Sequence, residues 1–383
     1  MTGAPRSGGL PTAVQLLGDL AAKLRCLACG GCLELTSLSE HPGYPDLGPD
    51  GTLTCQDCTE HYPLIAGTPR MLTAEHLHRL HAAYPLAAQA LSRHHDAAVH
   101  QPGAEVAVKQ LTADSFAYEW QQFGALREEW AKNFADYMRP HTPESLSGAE
   151  VLDVGTGSGR HSFHADRAGA RVVAVDLGAS IDVARRNLPP SVLTVQADAE
   201  ALPFARDSFD VVMSIGVLHH LPDPDRALRS IVRYARPGGC VHVYLYWIPE
   251  QRWQQAMLAL VTGTRRLTVR LPHRILHILC YPLAAVLLVG VVAPYRALRR
   301  RPRGRGLAGG LPLKTYADYP FSVLVNDQLD RFSAPLERRY TADEVRDAMI
   351  AAGVEDVVVL PNHGWVGDGR RPSAAGSPET PRA

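Results

Sequence analysis

No excess of either charge sign marks this chain of 383 residues: 39 lysines and arginines stand against 39 aspartates and glutamates. Without a net field, nothing collects a polyanion along the whole surface, so any basic partner site has to be local and nucleic acid is not the favoured partner. The first 25 residues, MTGAPRSGGLPTAVQLLGDLAAKLR, lack the basic start and unbroken apolar stretch of a secretory leader, which makes a cytoplasmic location the expectation. No internal repeat is present. Cysteine is scarce except in the first sixth of the chain, where Cys26, Cys29, Cys32, Cys55 and Cys58 account for five of the seven. In a reducing compartment such clustering points to a metal rather than to disulfides.

Two C-x-x-C knuckles, in CLACGGC and CQDC, are separated by a loop rich in glycine and proline. Four thiolates from two tight turns close a tetrahedral zinc site, and Cys26, Cys29, Cys55 and Cys58 are the expected set, with Cys32 and His61 as spare ligands. Four protein ligands leave no open position, so the zinc is expected to be structural.

Residues 71–145 read as helical. Their histidines at 76, 78, 81, 94, 95 and 100 fit no single metal geometry and are expected on helix surface. Phe116, Trp120 and Phe123, spaced i, i+4 and i+7, form one apolar face, either core or a lid over a ligand. Residues 150 to 247 then alternate short β-branched runs (AEVLDVG, RVVAVD, VLTVQAD, FDVVMSIG, CVHVYLYW) with helix-length segments, the pattern of a parallel sheet covered on both faces. RPGG at 236–239 is expected to stop a helix before the fifth strand. After a long interruption TADEVRDAMIAAG and VEDVVVLP resume the pattern, with HGWVGDGRR as a final strand. The tail from Pro372 is expected to be disordered.

The first strand ends in VLDVGTGSGR, which feeds a helix. Ligands of doubly wound sheets lie beyond such strand ends. The dinucleotide pattern G-x-G-x-x-G/A is not met, because Gly155, Gly157 and Gly159 alternate around Thr156 and Arg160 takes the third small position. Asp153 beside the turn opposes a pyrophosphate but suits a ligand bearing an ammonium and a sulfonium, namely S-adenosylmethionine. Asp176, ending the second strand, is placed to accept from both ribose hydroxyls, and Asp198, after the third, from the adenine amino group. Leu177, Ala199 and Ile215 provide apolar contacts.

Together VLDVGTGSGR, VVAVD and QADAEALPFARDSFDVVMSIGVLHHLPDPDRALRSIVRYARPGG resemble class I SAM-dependent methyltransferases of the branch that includes the quinone-biosynthesis C-methyltransferases. The resemblance covers about residues 115–247 and 340–370. It implies a seven-stranded sheet of order 3-2-1-4-5-7-6 with strand 7 antiparallel. LRCLACGGCLEL and CQDCTEHYPLIAGTPRML resemble the zinc-ribbon module fused to many bacterial methyltransferases, which is similar to the small zinc partner subunit of RNA and protein methyltransferases.

Methyl transfer is an in-line displacement, in which orientation supplies roughly 7–11 kcal/mol. For a hydroxyl acceptor a base adds about 10² to 10⁴. His219 and His220 after the fourth strand are candidates, with framework as the other reading; Asp223 followed by Pro224 reads as a helix N-cap. Tyr246 and Trp247, ending strand five, either shape the acceptor pocket or pack in the core.

The chain therefore divides into a zinc ribbon (1–70), a helical linker or lid (71–145), a SAM-binding core (146–247), an apolar and basic insert (248–340), the closing helix and strands (341–370) and a tail (371–383). In the insert, ILHILCYPLAAVLLVGVVA (275–293) carries no Asp, Glu, Lys or Arg and is long enough to cross a bilayer. A single crossing would strand residues 341–370 away from their sheet, so a shallow element broken near Pro282 or a buried helix pair is expected instead. Basic flanks on both sides favour peripheral contact of 265–305 with an anionic leaflet over buried core and over a protein or RNA partner. The acceptor is expected to be a small molecule, glycan or lipid-linked compound methylated on oxygen or nitrogen. The rivals are an rRNA or tRNA methyltransferase gripping RNA with the ribbon, and a non-catalytic SAM-binding protein.

Overall fold

A computed structural model describes residues 13–40, 47–76, 80, 103–300 and 314–373. The tail from 374 and the histidines at 78, 81, 94, 95 and 100 lie outside the described residues.

Helix α1 (Ala13–Lys23) leads into an antiparallel sheet of β1 (Leu33–Glu40), β2 (Pro49–Cys55), β3 (His61–Ile65) and β4 (Thr68–Pro69), paired in that order. This module shares one apolar core with the rest of the chain: Leu24, Leu33 and Tyr62 pack with Val195 and Phe204. It also covers a sheet edge. Strand β4 runs beside the last core strand, β7 (Leu193–Gln196), through the parallel bridge Arg70↔Gln196 and a 2.8 Å hydroxyl contact between Thr68 and Thr194. Without that cover β7 would present an unpaired row of backbone groups.

Helices α2 (Ala104–Phe123) and α3 (Trp130–Tyr137) precede the main sheet. Its remaining members are β5 (Glu150–Val154), β6 (Arg171–Asp176), β8 (Phe209–Ile215), β9 (Ala235–Leu245), β10 (Glu355–Pro361) and β11 (Trp365–Arg370). Their order is β10-β11-β9-β8-β5-β6-β7, with β11 antiparallel to both neighbours, which is the order the resemblance implies. Helices α4 (Arg160–Arg167), α5 (Ser180–Asn187) and α6 (Pro224–Val232) connect the parallel strands. Both faces are buried, with alternate residues serving opposite layers: Leu152 and Val154 join one core, Val151 the other. Asp153 therefore points to the Val151 side, toward α4.

Helix α6 starts as read, with Asp223 accepting from the Arg226 amide at 2.8 Å and Pro224 at the first position. RPGG does not end it: α6 is over by Val232, and RPGG lies within β9, where the register against β8 slips between Phe209 and Val211. The closing helix α10 (Ala342–Ala351), numbered after three helices of the insert, begins with a reciprocal capping box between Thr341 and Glu344.

The insert contains α7 (Arg252–Thr268), α8 (His273–Arg299) and α9 (Phe321–Ser333). Helix α8 is continuous through Pro282, correcting the expected break; its irregularity is instead a π-turn at Leu288–Val292. Nor is it a buried pair. Leu276, Cys280 and Ala284, one stripe at four-residue spacing, pack against Leu324 and Leu329 of α9, while Ile278, Val286 and Val289 are 68–71% exposed.

Candidate active site

The strand ends, α2, α3, α7 and α9 enclose a cavity of about 1160 Å³. The glycine turn forms part of its wall. Gly155 and Gly157 have φ of +81° and +57°, a region that costs other residues energy. A Cβ at Gly155 would stand 2.3 Å from Val217, and one at Gly157 2.7 Å from the Trp120 indole nitrogen. The glycines thus make room for protein side chains as well as permit the turn. Gly159 (φ +85°) begins α4 against Leu188 and does not line the cavity.

Asp153 corrects the charge argument. Its Oδ2 accepts from the hydroxyls of Ser162 at 2.6 Å and Thr156 at 2.9 Å, and the group is buried behind the turn. It braces the loop and does not face the cavity, because strand alternation points it beneath α4. Asp176 does line the cavity: it accepts from the amides of Gly157 (3.0 Å) and Gly178 (2.9 Å), and burial pushes its carboxyl up to about 6. Leu177, Asp198, Ala199, Ile215 and Thr156 also line it.

Asp198 is not solitary. Lys109 of α2, 5% exposed, reaches Asp198 and Glu200 at 3.0 Å each. Sequence reasoning missed this lysine, because 89 residues separate it from Asp198 and nothing in the helix pattern distinguishes it. Lys109→Met leaves the largely buried Asp198 without its lysine, while Glu200 keeps Arg226 at 2.6 Å, and is expected to cost about 3–5 kcal/mol, read as a lowered urea midpoint at unchanged m-value.

The two histidines separate clearly. His219 is fully buried, stacks on Tyr246 at 4.0 Å between centroids, has no hydrogen-bond partner on either ring nitrogen, and does not line the cavity. His220 lines the cavity. Its Nδ1 lies 2.7 Å from the Leu336 carbonyl, which only accepts, so the ring proton sits on Nδ1. Nε2, buried and without a partner, presents its lone pair. Burial holds the ring's pKa below the usual histidine value, opposed by the nearby carboxylates of Asp330 and Glu337. Phe116 packs edge-on to His220 at 4.9 Å, and Phe116 and Trp120 line the cavity, whereas Phe123, the third residue of that face, packs against His277 of α8.

Tyr246 and Trp247 line the far part of the cavity, where Tyr246 donates to Asp330 at 3.3 Å. Asp327 and Asp330 of α9 meet the buried Glu119 of α2 there. Burial and the two aspartates raise Glu119 well above the carboxylate range; burial puts Asp327 at about 6. These acids were also missed: spacing on an amphipathic helix does not reveal which face closes over a pocket.

In the first module the Sγ atoms of Cys26, Cys29, Cys55 and Cys58 converge: Cys29 lies 3.5 Å from both Cys55 and Cys58, and Cys26 lies 3.6 Å from Cys58. Tetrahedral zinc thiolate sulfurs stand about 3.8 Å apart, from a bond of about 2.3 Å. Cys32 is outside this set, and His61 turns to Thr54 at 3.1 Å.

Residues 152–243 match the family described as "Methyltransferase domain". The chain is 35% identical over 131 residues to an uncharacterized methyltransferase of Mycobacterium sp. (strain JLS), covering 33% of this chain and 50% of that one. It is 39% identical over 102 residues to a ubiquinone biosynthesis O-methyltransferase of Stutzerimonas stutzeri, covering 25% and 44%. The chain thus spans about half the length of these relatives. Among solved structures, a Burkholderia thailandensis 1,6-didemethyltoxoflavin-N1-methyltransferase aligns over 71% of this chain and 92% of its own, with 18% identity and a TM-score of 0.40. Residues 152–243, within the seven-stranded sheet, thus form a methyltransferase domain.

Proposed function

We propose that the chain transfers a methyl group from S-adenosylmethionine to an oxygen or nitrogen of a lipid-linked small-molecule acceptor that enters from a membrane surface. One observation carries the choice of acceptor. Helix α7 lines the cavity with Trp253, Met257, Leu258 and Val261, while Leu260 and Leu267 on the same helix are 64% and 66% exposed. Helix α8, joined to α7 by a short turn, exposes Ile275, Ile278, Leu279 and Val289, and Arg266, Arg270 and Arg274 are exposed around that turn. Apolar surface of this extent beside basic residues suits an anionic leaflet, and the cavity opens next to it.

The donor, when bound, supplies an electrophilic methyl group on sulfonium. Asp176 would accept from the ribose hydroxyls, Leu177 and Ala199 would flank the base, and the Gly155–Gly157 turn would bound the amino-acid end. On the acceptor side, His220 Nε2 takes the proton from the attacking oxygen or nitrogen. Its Nδ1 keeps its proton and donates to the Leu336 carbonyl, and Asp330 and Glu337 stabilise the resulting cation. Tyr246 and Phe116 hold the acceptor's apolar part. The similarity to a ubiquinone biosynthesis O-methyltransferase supports a small-molecule acceptor. The Cys26, Cys29, Cys55 and Cys58 set would hold a structural zinc, and the location would be cytoplasmic with peripheral membrane contact.

The test combines binding with labelling. The protein is expected to sediment with anionic liposomes at low salt, the Leu260→Glu/Ile278→Glu variant to remain in solution, and methyl-labelled SAM to label the organic phase of a host membrane extract. Equal solubility with and without vesicles, or label found only in RNA, contradicts the reading.

A further inference from the structure

A second group of metal-ligand side chains stands apart from the four cysteines. Cys240 and His242, alternate residues on one face of β9, meet Asp368 on the paired strand β11 and His141 in the segment after α3. The ligand atoms of His141, Cys240 and Asp368 all lie within 4.8 Å of one another. The distances are 3.6 Å from Cys240 Sγ to His141 Nε2, 3.2 Å from Cys240 Sγ to Asp368 Oδ1, and 3.0 and 3.1 Å from His141 Nε2 to the two carboxylate oxygens. Around tetrahedral zinc, nitrogen and oxygen ligands stand about 3.3 Å apart and a sulfur stands about 3.6 Å from either, given bonds of about 2.0–2.1 and 2.3 Å.

The hydrogen-bond inventory points the same way. His242 Nε2 lies 2.8 Å from the Tyr137 carbonyl, which only accepts, so the ring's proton is on Nε2. Nδ1 lies 2.9 Å from Asp368 Oδ1 and donates to it when the ring is charged, so a ring with no exposed surface orients the carboxylate that Cys240 and His141 also face. Carboxylates that ligate metals are themselves hydrogen-bonded, and His242 does this for Asp368. Cys240, His242 and Asp368 are buried, whereas the His141 side chain is 28% exposed, which gives an ion a way in.

We infer that His141, Cys240 and Asp368, with His242 positioning the carboxylate, form a second metal site that takes zinc and pins the end of α3 to the sheet. A mixed sulfur, nitrogen and oxygen set suits zinc better than magnesium or calcium. Three protein donors leave the fourth position of a tetrahedral zinc to water. The consequence for the cavity is direct, since Asn133, Asp136 and Tyr137 of α3 line it.

The experiment counts metal in the full chain. Protein loaded with zinc and desalted is expected to hold two equivalents by elemental analysis, falling to one in Asp368→Asn and in Cys240→Ser. Cys58→Ser should lose the other. Cobalt in the Cys58→Ser protein is expected to show d–d bands of a four-coordinate site, with weaker sulfur charge transfer than the four-cysteine site gives. Should the buried variants fail to fold, His141→Gln, at a partly exposed position, should still weaken retention of one equivalent against a chelator at least tenfold. A single equivalent in the wild type, or two equivalents held equally by His141→Gln and the wild type, overturns the site.

Discussion

Replacing His220 by alanine is expected to lower kcat by about 10² to 10⁴-fold while leaving SAM affinity close to that of the wild type. The expectation rests on geometry. The Leu336 carbonyl fixes the tautomer, and Nε2 is left as an unpartnered lone pair on the cavity wall. The pH profile gives a second readout. Because burial depresses this histidine, the acid limb of kcat/KM should fall at a pH below that of an ordinary imidazole, and the limb should vanish in His220→Gln. His219 is the control. Neither of its nitrogens has a partner and it does not face the cavity, so His219→Phe removes no hydrogen bond, keeps an aromatic ring against Tyr246 and should leave kcat near the wild-type value. A large rate loss in His219→Phe with none in His220→Ala would exchange the two roles.

Removing the zinc proposed for the four cysteines is expected to have the largest effect on stability. Structural zinc in small finger peptides contributes about 10–16 kcal/mol of apparent binding free energy, which is folding free energy where no site exists in the unfolded chain. Here Cys26 and Cys55 sit in the same apolar core as Val195 and Phe204 of the main domain, so losing the ion does not simply release a tethered bead. It loosens the cover over β7 and frees a strand edge. Chelation with mild heating, or Cys58→Ser, should therefore lower the melting temperature of the whole chain and promote aggregation; metal-free protein with an unchanged melt would contradict this.

How much of this could be read beforehand depends on how local each feature is. Strands β5 to β9 were legible because consecutive β-branched residues buried on both faces leave a mark in sequence, and the Asp223–Pro224 cap because it is complete in two residues. Asp153 was misjudged: its identity was plain, but its direction depends on which sheet face Val151 and Leu152 occupy. Pro282 misled for a related reason. A proline in an exposed-faced helix costs one hydrogen bond, which packing of Leu276, Cys280 and Ala284 on α9 outweighs. Lys109, Glu119 and Asp327 reach the cavity only through long-range contacts between α2, α9 and the sheet, which no spacing rule encodes. The paired donors Cys240 and Asp368 lie 128 residues apart and become neighbours only through the antiparallel pairing of β9 with β11.

The central claim is that the cavity beyond β5 and β6 receives a cationic nucleoside whose ribose is held by Asp176. Calorimetric titration of the intact chain with SAM, its demethylated product and NADH tests it most directly. SAM and its product should each bind at one equivalent, with affinity full above pH of about 6 and falling as Asp176 takes up its proton below that value, and Asp176→Ala should abolish both. Heat from NADH together with none from SAM or its product would contradict the account.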